Sequence, residues 1–330
     1  MMILGFDIGG TKCAVILGEE MRSDKIVIKD KLVMPTDKPV YEMIGFLFDQ
    51  ADVLLQQNNI ALEGIQGIGI SCGGPLSSRH GVILSPPNLP GWDNIPIVEL
   101  ALKRFDKPVL LQNDANAGAI AEWKYGAGKG YENLIFLTFG TGMGAGLILN
   151  GKLYSGTTDL AGEVGHLRLS DMGPVGFGKA GSFEGWCSGG GIAQLAQIRV
   201  RQQLQMGQQV SFCKSLDELP GLTAKTVAEA AYEGDQTAIE IYTDCGTYLG
   251  KGLSLLIDVL NPELILLGSI YGRAQSLLED AMRKVLEKET IRTSYEACKI
   301  MPASLAENIG DMAALSLGVQ AASQAVPVGG

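Results

Sequence analysis

Residues 7–12 read Asp-Ile-Gly-Gly-Thr-Lys, and the meaning of this stretch decides the fold. The apolar run Ile3-Leu4-Gly5-Phe6 precedes it and Cys13-Ala14-Val15-Ile16-Leu17 follows it, so a Gly-Gly-Thr-Lys loop lies between two strands. Gly-rich loops that hold phosphate usually lead from a strand into a helix, whose N-terminal dipole favours the anion. This loop fits neither G-x-x-x-x-G-K-[ST] nor G-x-G-x-x-G. Taken alone it reads first as a hairpin turn, for which Gly-Gly supplies the positive-φ residues.

A second stretch changes that reading. Leu134-Ile135-Phe136-Leu137-Thr138-Phe139 leads into Gly140-Thr141-Gly142-Met143-Gly144-Ala145-Gly146 and then Leu147-Ile148-Leu149, again strand, Gly-Thr loop, strand. Two such loops opening two successive α/β segments suggest a duplicated domain with a phosphate clamped between the halves. Each loop can aim several N–H groups into one concavity. Thr11 and Thr141 add a hydroxyl each, and Lys12 a point charge.

The net charge of -10 requires this backbone solution and argues against nucleic acid or an anionic membrane as partner. With 46% hydrophobic and 19% charged residues, the 330-residue chain can bury a sizeable core. Its 44 glycines cluster in loops rather than in a repeat. The six cysteines form no C-x-x-C pair, which suits a reducing cytoplasm. Asp7 interrupts the first apolar run before signal-peptide length, and Asp258 and Asn261-Pro262 break the later run 253–267, so neither is expected to be a leader or a membrane span.

Helical spacing is expected over residues 41–58, 98–105, from about 115, and over 190–205, 226–233, 237–260, 275–288 and 309–322. Strands are expected at 65–70, 109–112, 264–267 and 299–301, an irregular loop at 85–96, and a frayed tail at 326–330. This alternation argues for an α/β fold.

Gln112-Asn113-Asp114-Ala115-Asn116-Ala117 sits where a strand meets a helix. Asp before an Ala-rich helix is a favoured N-cap, and a helix N-terminus lowers a carboxylate pKa, which disfavours a base. Phosphoryl transfer nevertheless tolerates a weak base, provided it is in line with the attacking hydroxyl. On local sequence the cap is the stronger of the two readings. Gly162-Glu163-Val164-Gly165-His166 and Glu184, together with Asn88 and Asn113, make a set of donors and acceptors suited to a polyhydroxylated ligand. Trp92 and Trp186 have two readings, a sugar face and the core, and the core is favoured.

In order, these motifs resemble the ROK family of bacterial sugar kinases and regulators (repressors, open reading frames, kinases), over nearly the whole chain. The resemblance implies an α/β, two-domain actin-like ATPase of hexokinase type, with duplicated ribonuclease H-like domains and a cleft between them. It places residues 1–114 in a smaller N-terminal domain, joined by the C-terminal helix 309–330, and 115–308 in a larger one. Asp7, Gly9, Gly10, Thr11, Lys12, Gly140, Thr141, Gly142 and Gly268 would bind ATP. Gly74, Asn88, Asn113, Glu163, His166 and Glu184 would bind sugar, and Asp114 would be the general base. The implied activity is an ATP- and Mg²⁺-dependent transfer to the 6-hydroxyl of a hexose, as in a glucokinase. An N-acetylmannosamine kinase or another hexose kinase is the alternative, and a sugar-sensing transcription regulator stands further off. That regulator would need an N-terminal DNA-binding module ahead of the first strand, and none is expected. A cytoplasmic homodimer is expected.

Two departures stand out. Most of the family carries a zinc module, Cys-Gly-Cys-Gly-x-x-Gly-Cys, completed by a histidine equivalent to His166. Here Val175, Phe177 and Ser182 occupy the cysteine positions, too few ligands for a closed zinc site. No structural zinc is expected, and packing of Val175, Phe177, Phe183 and Trp186 is expected to replace it. Gly73-Gly74-Pro75 also stands where the family usually shows Pro-Gly-Pro.

Overall fold

Strand β1 (Met2–Ile8) buries Ile3, Leu4, Phe6 and Ile8, hence both of its faces, as a central strand must. In this computed structural model, which describes residues 1–22 and 25–325, β1 turns at Gly9 into β2 (Lys12–Met21). The two run antiparallel, with Ile8 opposite Cys13 and Asp7 opposite Ala14. The chain continues through β3 (Lys25–Pro35), α1 (Val40–Gln57), β4 (Ile65–Cys72), the hairpin β5 (Leu76–Ser77) and β6 (Val82–Ile83), α2 (Ile97–Phe105), β7 (Val109–Asn113) and α3 (Asp114–Tyr125). Next come β8 (Leu134–Leu137), β9 (Ala145–Leu149), β10 (Lys152–Leu153), the hairpin β11 (Val175–Gly176) and β12 (Lys179–Ala180), α4 (Phe183–Trp186), α5 (Gly189–Gln205) and α6 (Ala224–Tyr232). The last elements are α7 (Gln236–Leu260), β13 (Leu264–Leu267), α8 (Ile270–Glu289), α9 (Arg292–Ala297), β14 (Lys299–Pro302) and α10 (Ile309–Ala325). The expected frayed tail at 326–330 lies outside the described residues.

Two five-stranded sheets repeat one pattern, in the orders β3-β2-β1-β4-β7 and β10-β9-β8-β13-β14. In the first, β1, β4 and β7 are parallel while β2 and β3 are antiparallel. In the second, β8, β13 and β14 are parallel, and β9 forms an antiparallel hairpin with β10. The duplication inferred from the paired Gly-Thr loops is thus visible in the topology.

The chain divides into two compact units. Unit 1 comprises Met1–Tyr131, Gly146–Ala161 and the chain from Ser304 onward; unit 2 comprises Glu132–Ala145 and Gly162–Ala303. This differs from the boundary expected at 114/115, because α3 belongs with unit 1. Ala117 and Ile120 of α3 pack with Ala313 and Leu317 of α10, and Leu153 joins them.

In unit 1, α1 buries one stripe (Met43, Ile44, Leu47, Phe48, Ala51, Leu54, Leu55) in the core that also holds Leu4, Phe6, Val15 and Ile70. The other face of the sheet takes α10 at very close range. A Cβ on Gly69 of β4 would lie 1.9 Å from the Ala314 carbonyl oxygen and 2.5 Å from the Gly318 nitrogen, so only glycine admits that helix. The chain entering α10 is gripped by Glu122, which is fully buried. Its carboxylate accepts hydrogen bonds from Ser304 Oγ (3.0 Å), Leu305 N–H (2.7 Å) and Ala127 N–H (3.0 Å), which satisfies a group too polar to bury alone.

In unit 2, α7 and α8 pack closely, with Gly246 and Gly250 set against the Leu278 and Met282 carbonyls. Helix α8 starts five residues earlier than the expected 275. Its first turn is offset by a break at Ala274 (φ -126°), which hides it from a regular 3.6-residue pattern. Among the described residues no helix is long and apolar enough to cross a membrane.

Candidate active site

Unit 1 presents the first Gly-Thr loop. Thr36, just past β3, clamps it from both sides: its Oγ1 donates to the Gly9 carbonyl at 2.7 Å and its N–H donates to the Thr11 carbonyl at 3.1 Å. Gly9 N–H closes the turn on Lys12 O at 3.1 Å. Thr11 and Lys12 are left exposed. A Cβ on Gly10 would sit 2.2 Å from the carbonyl oxygen of Asn88, so the loop backs directly onto the residue expected to meet the sugar. The exposed Asn88 lies with its amide against Gly73, where a Cβ would be 3.4 Å away, and the adjacent Gly74–Pro75 peptide is cis.

The turn from β7 into α3 gives the cap to a residue other than Asp114. The N-cap is Asn113, whose Oδ1 accepts Asn116 N–H at 2.7 Å. Asp114 is the first helical residue, and the cap reading favoured on local sequence is corrected. Asn and Asp are nearly equal as caps, so composition could not choose between them. Gln112 fixes the turn further: its Oε1 accepts Asn113 N–H at 2.8 Å and Asn116 Nδ2 at 3.2 Å. Asp114 accepts the N–H of Ala115 at 2.8 Å and has its tip in water. Protein packed densely around it nevertheless strips enough solvation to raise its pKa, against the opposing pull of backbone hydrogen bonds. Asp7 is pushed up to about 6, chiefly by burial and then by the charges of Asp114 and Asp311, with Lys12 and Lys31 pulling the other way. Asp311 is itself held by Lys31 Nζ at 2.7 Å.

Unit 2 presents the second loop. Thr138 ties its ends, with its N–H donating to Gly144 O and its Oγ1 accepting Gly144 N–H, both at 3.0 Å. Gly140 N–H donates to Gly142 O at 3.0 Å, and the buried Phe139 holds φ +27°. Gly189 N–H, at the start of α5, donates to Gly140 O at 2.8 Å. Gly268 sits behind the loop, its N–H bonded to Leu137 O at 2.9 Å, and Ile270 N–H reaches Phe139 O at 3.0 Å. Thr141 is exposed. Glu184 Oε2 accepts Met143 N–H at 3.0 Å, a contact with the second Gly-Thr loop that no side-chain motif marks. Glu163 is exposed just ahead of the 3₁₀ turn Val164–His166.

Among the described residues no group of three or more His, Cys, Asp or Glu is placed to hold a metal ion. The three positions aligned with zinc-binding cysteines have other employment. Ser182 caps α4 by accepting Gly185 N–H at 3.1 Å. Val175 is clipped by the Gln194 amide, which accepts its N–H at 3.0 Å and donates to its carbonyl at 2.8 Å. Phe177 lies edge-on to the His166 ring, with centroids 5.1 Å apart. Lys179 Nζ secures the His166 carbonyl at 2.7 Å. The expected apolar cluster is corrected to this extent: Phe183 and Trp186 are buried, but Val175 and Phe177 are 44% and 68% exposed. Hydrogen bonds, more than packing, hold these segments.

Trp92 lies in the unit 1 core, and Trp186 stacks on Tyr248 at 3.7 Å with its Nε1 donating to Ser170 Oγ at 2.9 Å. Both tryptophans take the core reading.

A fold of two repeated α/β sheets, each carrying a Gly-Thr loop at a strand turn, defines the class as the actin-like, hexokinase-type architecture. The ROK family model matches residues 3–321, and the chain belongs to the ROK family. It is 28% identical to a glucokinase of Thermotoga maritima over 96% of this chain and 97% of that one. It is 27% identical to a xylose repressor of Caldicellulosiruptor bescii over 90% of this chain and 73% of that protein. A crystal structure of a Streptomyces griseus ROK glucokinase in complex with glucose and AMPPNP superposes with a TM-score of 0.73 at 27% identity, covering 97% and 100% of the two chains.

Proposed function

We propose that this protein is an ATP-dependent hexose kinase that phosphorylates the 6-hydroxyl of glucose. The observation that carries the reading is Asp114. Asn113 has taken over the capping, so Asp114 stands at a strand end with a partly desolvated carboxylate and a raised pKa. In this reading Asp114 accepts the proton of the attacking hydroxyl. Asn113 offers the sugar its Nδ2 donors while its Oδ1 caps the helix, and Asn88 adds a second amide. Gly74, Glu163, His166 and Glu184 complete the sugar set. Asp7 to Lys12 and Gly140 to Gly142 hold the phosphates through backbone N–H groups, with Gly268 toward the nucleoside.

The site suits Mg²⁺ brought in with the nucleotide. The Asp7 carboxylate receives no hydrogen bond among the described residues and is flanked by Asp114 and Asp311, which leaves a surplus of negative charge beside the loop it would face. When bound, the ion would neutralise charge on the transferred phosphoryl group. The likeness to the Thermotoga maritima glucokinase and to the glucose- and AMPPNP-bound structure supports this reading.

N-acetylmannosamine is the alternative acceptor. A sugar-responsive regulator is the second reading, favoured by the likeness to a xylose repressor. The deciding assay is ADP release with Mg-ATP and a panel of glucose, mannose, N-acetylmannosamine, allose and fructose. At least one sugar is expected to support turnover, and Asp114→Asn is expected to lower kcat by about 10²- to 10⁴-fold with sugar affinity little changed. Folded protein that turns over none of these sugars, or an Asp114→Asn variant with normal kcat, rejects the reading.

A further inference from the structure

The sugar-side residues of unit 2 come from two segments well apart in sequence, 163–166 and 184, and both rest on the same few residues of the phosphate loop. Glu184 Oε2 accepts Met143 N–H at 3.0 Å. A Cβ on Gly142 would lie 2.8 Å from that same oxygen. A Cβ on Gly165 would lie 2.3 Å from Met143 O and 3.2 Å from Glu184 Cβ, so the turn bearing Glu163 and His166 is pressed onto Met143 as well. One residue further on, Ala145 N–H donates to Gly162 O at 2.8 Å. Unit 1 shows the same design independently, with Gly10 of its phosphate loop set against the Asn88 carbonyl. In each unit a glycine of the phosphate loop touches a sugar-side residue with no room for a methyl group.

We propose that the Met143–Glu184 hydrogen bond couples the two ligands, so that hexose and nucleotide each tighten the binding of the other. The proposal rests on the reading of Glu184 as a sugar contact and adds to it a path to the phosphates. One carboxylate oxygen is already bonded to the loop, and Oε1 makes no hydrogen bond among the described residues, so a sugar hydroxyl can take it. A hydroxyl held there restricts the side chain and, through Oε2, the orientation of the Gly142–Met143 peptide. The ordering cost of the loop is then met by the first ligand and spared the second, which is positive cooperativity. Linkage requires the effect to be equal in both directions. It also gives the enzyme a means of restraining ATP hydrolysis when no sugar is present, since the phosphate loop is fully set only once Glu184 is engaged.

The test is a set of calorimetric titrations of glucose and of N-acetylmannosamine, with and without saturating AMPPNP and Mg²⁺. In the wild-type protein the nucleotide analogue should tighten hexose binding by about tenfold, inside the usual range of such couplings. Gly142→Ala displaces the carboxylate from the loop side. Glu184→Asp keeps the charge but withdraws it from Met143 by one methylene. Both should bring the coupling below about twofold, and Gly142→Ala decides the matter if the shortened carboxylate no longer binds sugar. Wild-type affinities that are independent of each other, or variants that keep the full coupling, overturn the inference and leave the kinase reading intact. Where neither of these two sugars binds, the same titrations use mannose, allose and fructose; failure of the wild type to bind any of the five overturns the kinase reading, and this inference with it.

Discussion

Replacing Asp7 by Asn should stabilise the unliganded protein at neutral pH while abolishing turnover. The carboxylate has a pKa raised from 3.8 to about 6, first by burial and then by its neighbours Asp114 and Asp311. A tenfold change in acid strength corresponds to about 1.36 kcal/mol, so ionised Asp7 costs the folded state roughly 3 kcal/mol. The window follows from the two values. Above pH 6 the group is ionised in both folded and unfolded chains and the full cost is present; below 3.8 it is protonated in both and the cost is gone. Asn has the same shape without the charge, so it fits the same place against Gly310, where a Cβ would be 2.7 Å from Asp7 Oδ2. The advantage of the variant should be roughly 3 kcal/mol at about pH 8 and roughly half that at about pH 5. Urea denaturation of both proteins at the two pH values, without nucleotide or divalent ions, measures the difference. An Asn variant less stable than wild type at about pH 8, or an advantage that does not shrink on acidification, refutes the reasoning. A charge kept at such a cost does not serve the fold.

Asn113→Ala should lower stability by about 1 kcal/mol through loss of the cap and also raise the KM for sugar, whereas Asn113→Asp should keep the cap and lose only the sugar. Denaturation midpoints beside steady-state kinetics separate the two effects, and equal loss of stability in both variants would remove Asn113 from the cap. Glu163→Ala should raise the KM for sugar far more than that for ATP, by an amount matching about 1–3 kcal/mol; equal changes would place Glu163 elsewhere. Elemental analysis should find no stoichiometric zinc, and strong chelators should leave the circular dichroism and sugar binding unchanged. One zinc per chain, with binding lost on chelation, would contradict this.

Much of the fold was legible because its signals are local. The apolar runs of β1 and β8 and the spacing of Met43, Ile44, Leu47 and Phe48 report burial directly. Strand β3 was missed because it buries only Ile26 and Met34 among alternating charges. At the candidate site both Gly-Thr loops stood out as motifs, whereas Asp114 read locally as a cap and the supports of all three were hidden. Thr36 reaches Gly9 from 27 positions away, and Met143 acts through its backbone N–H, which any residue but proline would supply. Gln112 and Asn116 stand inside the motif, yet the amide-to-amide bond between them appears only once the turn is folded.

The close seat of α10 on β4 has a consequence for how the chain is made. Residues Met312, Ala314, Leu315, Val319 and Ala322 complete an apolar cluster with Ile3, Ala14, Ile16 and Ile26, from the opposite end of the polypeptide. One face of the sheet that holds β1 therefore stays bare until α10 has been synthesised. Unit 2 needs nothing beyond Ala303, so a chain that lacks α10 still holds every residue of it, whereas unit 1 is left incomplete although most of it was made first. A released chain cut short within α10 would hold all of unit 2 and an open unit 1, and the bare sheet is the surface a chaperone would find on it.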